Sequence, residues 1–189
     1  MPKLFVAVDI GEELRAEVAR ARGEIQARLE AVKEVPRVTW VAPQSLHVTL
    51  RFFGEVDDAR AELLRRILAD PIEIAPFQVE WRGLGAFPSP RQPRALWMGV
   101  VSGANKLGEL EAALASRLGA PDAEAKPFRP HLTLGRVRMP GKGVDWEKIL
   151  REIDVRGVRS LVDHVTLYRS SQTAKGPQYT GLVKAPLFQ

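Results

Sequence analysis

Two tetrapeptides of this chain carry residues suited to proton transfer, His47-Val48-Thr49-Leu50 and His131-Leu132-Thr133-Leu134, and they stand 131 − 47 = 84 residues apart. Each alternates a polar with an apolar residue, the period-2 pattern of a half-buried strand, so His and Thr share one face while Val or Leu takes the other. Two such strands offer one imidazole and one hydroxyl each. Imidazole, with an unperturbed pKa of about 6.5, gives or takes a proton at neutral pH, so two histidines at one site suffice for a reaction that needs one proton donated and another removed.

A third copy, His164-Val165-Thr166-Leu167, competes for the same reading. The first two copies share surroundings: each follows a proline-containing turn, each begins a strand after a helix-bearing stretch, and each is closely followed by glycine, Gly54 or Gly135. Such internal agreement points to two lobes related by an approximate two-fold axis, with His47 and His131 at one cleft. His164 follows Leu161-Val162-Asp163 well inside an expected strand, leads to Tyr168-Arg169-Ser170-Ser171, and lacks that context. It is expected to be structural or peripheral.

The elements that must position these residues can be read from the spacing. Lys3 to Ile10 is expected as a strand, and Glu12 to Val32 as a helix with Leu14, Val18, Ile25 and Leu29 inward. Val38 to Val41 is a short strand, Pro43-Gln44-Ser45 a turn, and Leu46 to Phe53 the strand of the first motif. Its core face would be Leu46, Val48, Leu50 and Phe52, and its open face His47, Thr49 and Arg51. Asp57-Asp58 can cap a helix whose apolar face is Leu63, Leu64, Ile67 and Leu68, ended before Pro71. Phe77 to Leu84 alternates as a strand, and the proline- and glycine-rich stretch from Gly85 to Arg94 reads as a basic surface loop.

A second round follows. Ala95 to Val101 is an apolar strand, and Ala104 to Leu118 a helix with Leu107, Leu110, Leu114 and Leu118 on one side, stopped by Gly119 and Pro121. Lys126-Pro127-Phe128-Arg129-Pro130 leads into the second motif strand, which runs to about Val137. Trp146, Ile149, Leu150 and Ile153 mark a helix, Val158 to Leu167 one strand, and Gln178 to Leu187 another, with Gly176-Pro177 in the turn before it. The order is that of an α+β fold. A single bilobal domain spanning residues 1–189 is expected, since no low-complexity segment separates the halves.

Composition narrows the chemistry. The chain has 189 residues and a formal charge of +5, with an isoelectric point near 9.8, and most of the excess is arginine, which favours anionic partners such as phosphate. An arginine-rich surface serving only solubility or heat stability fits the charge equally well. With no cysteine, thiolate chemistry, disulfides and cysteine-ligated zinc are excluded. No apolar run approaches the roughly 20 residues that span a bilayer, and the start has no signal-peptide pattern, so a cytoplasmic location without membrane partners is expected. There is no glycine-rich loop ending in Lys-Ser or Lys-Thr, no His-Glu-x-x-His and no Gly-x-Ser-x-Gly.

The sequence resembles the RNA 2′,3′-cyclic phosphodiesterases, also called 2′-5′ RNA ligases, of the two-histidine phosphoesterase superfamily. The likeness rests on Leu4 to Val8, Leu46 to Gly54, Gly85-Ala86-Phe87-Pro88, Pro93 to Trp97, Pro130 to Arg136, and Leu167-Tyr168-Arg169-Ser170 with Gly176 and Tyr179. The resemblance implies two pseudo-symmetric lobes of antiparallel sheet packed with helices around a central cleft. It implies His47 as proton donor, His131 as proton acceptor, and Thr49 and Thr133 as hydroxyl donors to phosphate. Spacing alone does not assign the two histidine roles. It also implies no metal and no cofactor, RNA with 2′,3′-cyclic phosphate ends as substrate (tRNA fragments among them), and a monomer.

Arginine can steady phosphate charge without a metal. Arg51 lies on the expected motif face, whereas Arg136 would point away unless Gly135 introduces a bulge. Arg91, Arg94, Arg129 and Arg138 can follow an RNA backbone, and Phe52, Phe53 or Phe87 can stack on a base, although a core position is the more common fate of a strand aromatic. Three other readings stay open. The site can act on a small cyclic nucleotide such as a cyclic phosphate of ADP-ribose, all three histidines can bind zinc, or the chain can be an RNA-binding module without chemistry.

Overall fold

The computed structural model describes residues 1–119, 127–173 and 176–188. The chain runs β1 (Lys3–Asp9), α1 (Glu12–Glu30), β2 (Arg37–Trp40), a 3-10 turn at Pro43–Ser45, β3 (His47–Glu55) and α2 (Asp58–Ile67). It continues through β4 (Ile72–Glu73), β5 (Phe77–Ser89), β6 (Gln92–Ser102), α3 (Ala104–Leu118), β7 (Leu132–Met139), α4 (Trp146–Glu152), β8 (Val158–Val162), β9 (His164–Thr173) and β10 (Gly176–Phe188). Pro121 and Lys126 lie outside the described residues.

Two five-stranded sheets result, in the orders β3-β1-β9-β10-β4 and β2-β7-β6-β5-β8. All pairings are antiparallel except that of β4 with β10. The two motif strands thus belong to different sheets, each beside an apolar strand: β3 next to β1, β7 next to β6. They meet where the sheets face each other. The helices bind the lobes together, because α1 leaves the first sheet to pack on β8 of the second, and α3 leaves the second to pack on β3 of the first.

The faces of α1 and α3 are those the spacing predicts, whereas on α2 Leu64 and the following Leu68 are buried but Leu63 is 42% exposed. Leu14, Val18, Ala21, Ile25 and Leu29 of α1 are buried, as are Leu107, Leu110, Leu114 and Leu118 of α3. Each leucine so buried contributes about 1.5–3 kcal/mol relative to exposure, which is ample to fix the back of a motif strand. Asp57 caps α2 by accepting from the Arg60 amide at 2.7 Å, and Asp145 caps α4 by accepting from Lys148 at 2.9 Å.

Two segments differ from expectation. Gly85 to Arg94 is not a loop but the outer end of the β5–β6 hairpin, with Pro88 paired to Pro93. The β5–β6 register shifts between Phe87 and Pro88, and neither proline disturbs a third strand, because β8 pairs with β5 only as far as Trp81 and β7 reaches β6 only from Ala95 inward. Val158 to Leu167 is not one strand but two: β8 joins the second sheet and β9 the first, and the chain changes sheet at Asp163. No glycine or proline marks that switch, which hides it from a reading of turn signals. Among the described residues no helix is long and apolar enough to cross a membrane.

Candidate active site

Both motif strands carry a bulge at the same place. In β3, Thr49 pairs with Ala7 and Arg51 with Val6, leaving Leu50 as the extra residue. In β7, Thr133 pairs with Trp97 and Gly135 with Leu96, leaving Leu134 as the extra residue. A bulge shifts the alternation by one, so the faces exchange beyond the motif leucine. His47 and Thr49 therefore share the cleft with Phe52 rather than Arg51, and Thr133 shares it with Arg136.

This corrects the assignment of Arg51. It is buried, its guanidinium paired with Glu111 of α3 and donating to the Gly119 carbonyl at 3.2 Å. It ties β3 to α3 and takes no part in the cleft. Phe52, expected in the core, is 56% exposed and stands in the cleft wall, while Phe53 is buried in its place. The condition for Arg136 is met: the bulge at Leu134 and Gly135 brings it to the cleft. A side chain at position 135 would have its Cβ 3.0 Å from both Trp40 and Val38, so glycine lets β2 close over the bulge.

The cleft, about 420 Å³, is lined by His47, Thr49, His131 and Thr133 together with Phe52 and Arg136. The two histidines are held in the same way. The Nδ1 atom of His47 lies 2.8 Å from the Ser45 carbonyl, and that of His131 lies 2.6 Å from the Arg129 carbonyl. A carbonyl only accepts, so each Nδ1 carries hydrogen, and Nε2 is left as the nitrogen that exchanges a proton. Nε2 of His47 lies 3.0 Å from the Thr49 hydroxyl.

Each ring is also packed by aromatics from neighbouring strands. His47 lies over Phe5, ring centroids 4.8 Å apart, and meets Tyr179 edge-on at 5.1 Å. His131 meets Phe87 edge-on at 5.0 Å, and Phe87 rests in turn on Trp97. Phe87 is thus a support for His131 and does not line the cleft. Trp40 and Tyr179 line the cleft from β2 and β10, joined by Ser170 and Gln172 of β9. Periodicity gives no signal for these four, because they come from strands far apart in sequence. The resemblance includes Tyr179 and Ser170 without assigning either a place.

Burial is the largest influence on His47 and pushes its pKa below the ordinary imidazole value; the Ser45 hydrogen bond and the Asp9 charge oppose it in part. Asp9 lies directly across from His47 in the β1–β3 ladder. Burial raises the Asp9 carboxyl, but hydrogen bonds from Tyr168, His164 and Thr166 outweigh that and hold it below the usual carboxylate range. Burial raises the Tyr179 phenol as well, offset partly by the Arg136 charge. The cleft lining thus combines two guanidinium groups, Arg136 and Arg138, with two imidazoles, and a carboxylate lies behind His47.

His164 stands outside the cleft. Its Nε2 lies 2.9 Å from Asp9 and its Nδ1 2.6 Å from Asp163, so it braces the carboxylate behind His47. Among the described residues no group of three or more His, Asp or Glu side chains is arranged to hold a metal ion, and the three histidines do not converge. Arg138 also reaches the cleft, its Nε donating to the Thr39 hydroxyl at 3.3 Å. Arg91 and Arg94 are exposed at the β5–β6 hairpin tip, outside the cleft lining.

Comparison with known proteins identifies the family and the fold. The family model of the 2′-5′ RNA ligase superfamily matches residues 12–174. An RNA 2′,3′-cyclic phosphodiesterase of Methanothermobacter thermautotrophicus is 32% identical over 186 residues, covering 95% of this chain and 96% of that protein. One from Aquifex aeolicus is 34% identical over 145 residues, 75% of this chain and 77% of that protein. Among solved structures, E. coli LigT in apo form superposes with a TM-score of 0.71 at 27% identity, covering 100% of this chain and 99% of that one. TT0787 of Thermus thermophilus gives 0.69 at 29% identity, with 97% of each chain covered. By its matched family model, its relatives and its two facing His-x-Thr strands, the chain belongs to the RNA 2′,3′-cyclic phosphodiesterases of the 2′-5′ RNA ligase superfamily.

Proposed function

We propose that the protein opens 2′,3′-cyclic phosphodiester ends of RNA to 2′-phosphomonoesters by acid–base catalysis between His47 and His131, without a metal. The observation that supports this most is the matched anchoring of the two rings: each Nδ1 is tied to the carbonyl two residues before it, at strands that converge on one cleft. In the proposed reaction Nε2 of His131 takes a proton from water as its oxygen attacks phosphorus. The bond from phosphorus to the ribose 3′ oxygen breaks, and Nε2 of His47 gives its proton to that oxygen. Exchange with solvent restores both rings. With an RNA 5′ hydroxyl in place of water, the same step forms a 2′-5′ linkage and frees the 3′ hydroxyl, and its reverse cleaves that linkage.

Burial suits His47 to the donor role, because a lowered pKa makes the imidazolium a stronger acid toward the leaving alkoxide. The accompanying cost is a smaller charged fraction in the free protein, which the phosphate anion offsets by favouring the imidazolium. Thr49 and Thr133 donate to the non-bridging oxygens, and Arg136 balances the charge that grows on them. Both histidines come from one chain, so a monomer contains the whole site.

An oligonucleotide bearing a 2′,3′-cyclic phosphate, incubated with the protein in EDTA, tests the reading. The expected product is a 2′-phosphomonoester with a free 3′ hydroxyl. Binding without turnover would instead mark an RNA-binding module, and turnover only of a cyclic phosphate of ADP-ribose would mark a small-nucleotide enzyme.

A further inference from the structure

A second groove adjoins the catalytic cleft and shares three of its walls. It measures about 380 Å³ and lies between α1 and the edge strand β2; Thr39, Trp40 and Arg138 line both cavities, while Arg37, Gln26 and Val35 line only the groove. Trp40 forms the divide. Its six-membered ring is pressed toward the bulge at Gly135, and the Arg22 guanidinium lies 5.3 Å from its centroid.

The charge along this path is mainly positive. Arg136 and Arg138 are two residues apart on the exposed face of β7, about 7 Å along the strand. Arg37 follows at the end of β2, where it pairs with Met139. None of the three has a carboxylate partner among the described residues, although the chain's other arginines form many ion pairs. Glu30 is the acidic residue in the groove lining. Guanidinium groups without carboxylate partners, spaced along a groove that opens from the cleft, are suited to a polyanion.

We propose that this groove holds the RNA strand on the 5′ side of the reacting nucleotide, with Arg138 and Arg37 contacting successive phosphates beyond Trp40. The inference rests on the RNA reading of the catalytic cleft. It goes beyond that reading by assigning substrate length: a mononucleoside 2′,3′-cyclic phosphate fills the cleft alone, whereas an oligonucleotide gains contacts in the groove. Phosphate contacts carry no base information, so the preference is for length and not for sequence.

The test compares turnover of cytidine 2′,3′-cyclic phosphate with that of a trinucleotide ending in the same group, using wild-type protein, Arg37→Ala and Arg37→Glu. Arg37 is exposed on an edge strand and outside the catalytic cleft, so both variants keep the fold. The groove predicts that KM for the trinucleotide rises roughly threefold in Arg37→Ala and further in Arg37→Glu, while kinetics on the mononucleotide stay at wild-type values. It predicts too that the slope of log KM against log salt for the trinucleotide falls by about 0.7 in Arg37→Ala. Unchanged KM for the trinucleotide, or an equal change for both substrates, overturns the groove. If wild-type protein turns over neither substrate, the RNA reading of the cleft itself fails, which is a separate result.

Discussion

Phe52 and Arg136 stand at corresponding points of the two motif strands, each five residues after its histidine, and each is turned into the cleft by a bulge at the motif leucine. The residues just before them, Arg51 and Gly135, are correspondingly buried. The two lobes thus repeat a backbone device and vary its cargo: an aromatic ring from one side and a guanidinium from the other.

The two arginines that flank this correspondence should fail differently. Arg136→Ala removes a charge from the cleft and is expected to lower kcat/KM by roughly 10²-fold with little change in stability. Arg51→Ala strands Glu111 at the β3–α3 contact and should cost about 2–3 kcal/mol of stability while leaving the cleft lining intact. Denaturant titration beside steady-state kinetics separates the two, and a reversed pattern would contradict the placement of both.

The pH dependence follows from His47. Its pKa is lowered in the folded protein, mainly by burial, so between the folded value and the unfolded value of about 6.5 the unfolded chain holds a proton that the folded chain does not. Stability is therefore complete above about pH 6.5 and declines as pH falls toward the folded value. His47→Asn should remove that component of the decline, measured as the difference in unfolding free energy between the two proteins. The same depression places the acid limb of the kcat/KM profile below about pH 6.5, because double protonation of the pair begins only there. An acid limb at or above that value would show that His47 is not one of the titrating pair.

Donor and acceptor can be told apart by the leaving group. A nitrophenyl phosphodiester releases a stable phenolate and needs no proton on its leaving oxygen, so His47→Ala should retain much more of its wild-type rate on that ester than on a cyclic phosphate. His131→Ala should be impaired on both. The opposite pattern would exchange the two roles.

His164→Ala is expected to keep the rate on a cyclic phosphate within about threefold of wild type and to lose about 1 kcal/mol of stability, since Asp9 retains Tyr168, Thr166 and Lys184 as partners. A rate loss as large as that of His47→Ala would place His164 in the chemistry.

The pairing of His47 with His131 was legible because strand alternation and flanking turns repeat 84 residues apart. The helices were legible from their leucine spacing. Arg51 and Phe52 were not, because a bulge is set by how β3 pairs with β1 and leaves no mark in the residue pattern of β3 itself. Gly135 did signal the matching bulge, where a Cβ would meet Trp40 and Val38 of the neighbouring strand. Trp40, Tyr179 and Gln172 reach the cleft from β2, β10 and β9, an assembly fixed by sheet order and invisible to any local window. The hairpin at Gly85 to Arg94 was hidden by its prolines, which sit beyond the reach of the neighbouring strands.

The central claim is that His47 and His131 act as one unit, and a double-mutant cycle on an oligonucleotide 2′,3′-cyclic phosphate tests it most directly. His47→Ala and His131→Ala should each lower kcat by roughly 10²–10⁴, and the double variant should be little worse than the poorer single one, because either loss already breaks the coupled transfer. Losses that multiply in the double variant, or near wild-type turnover in either single variant, would contradict the account.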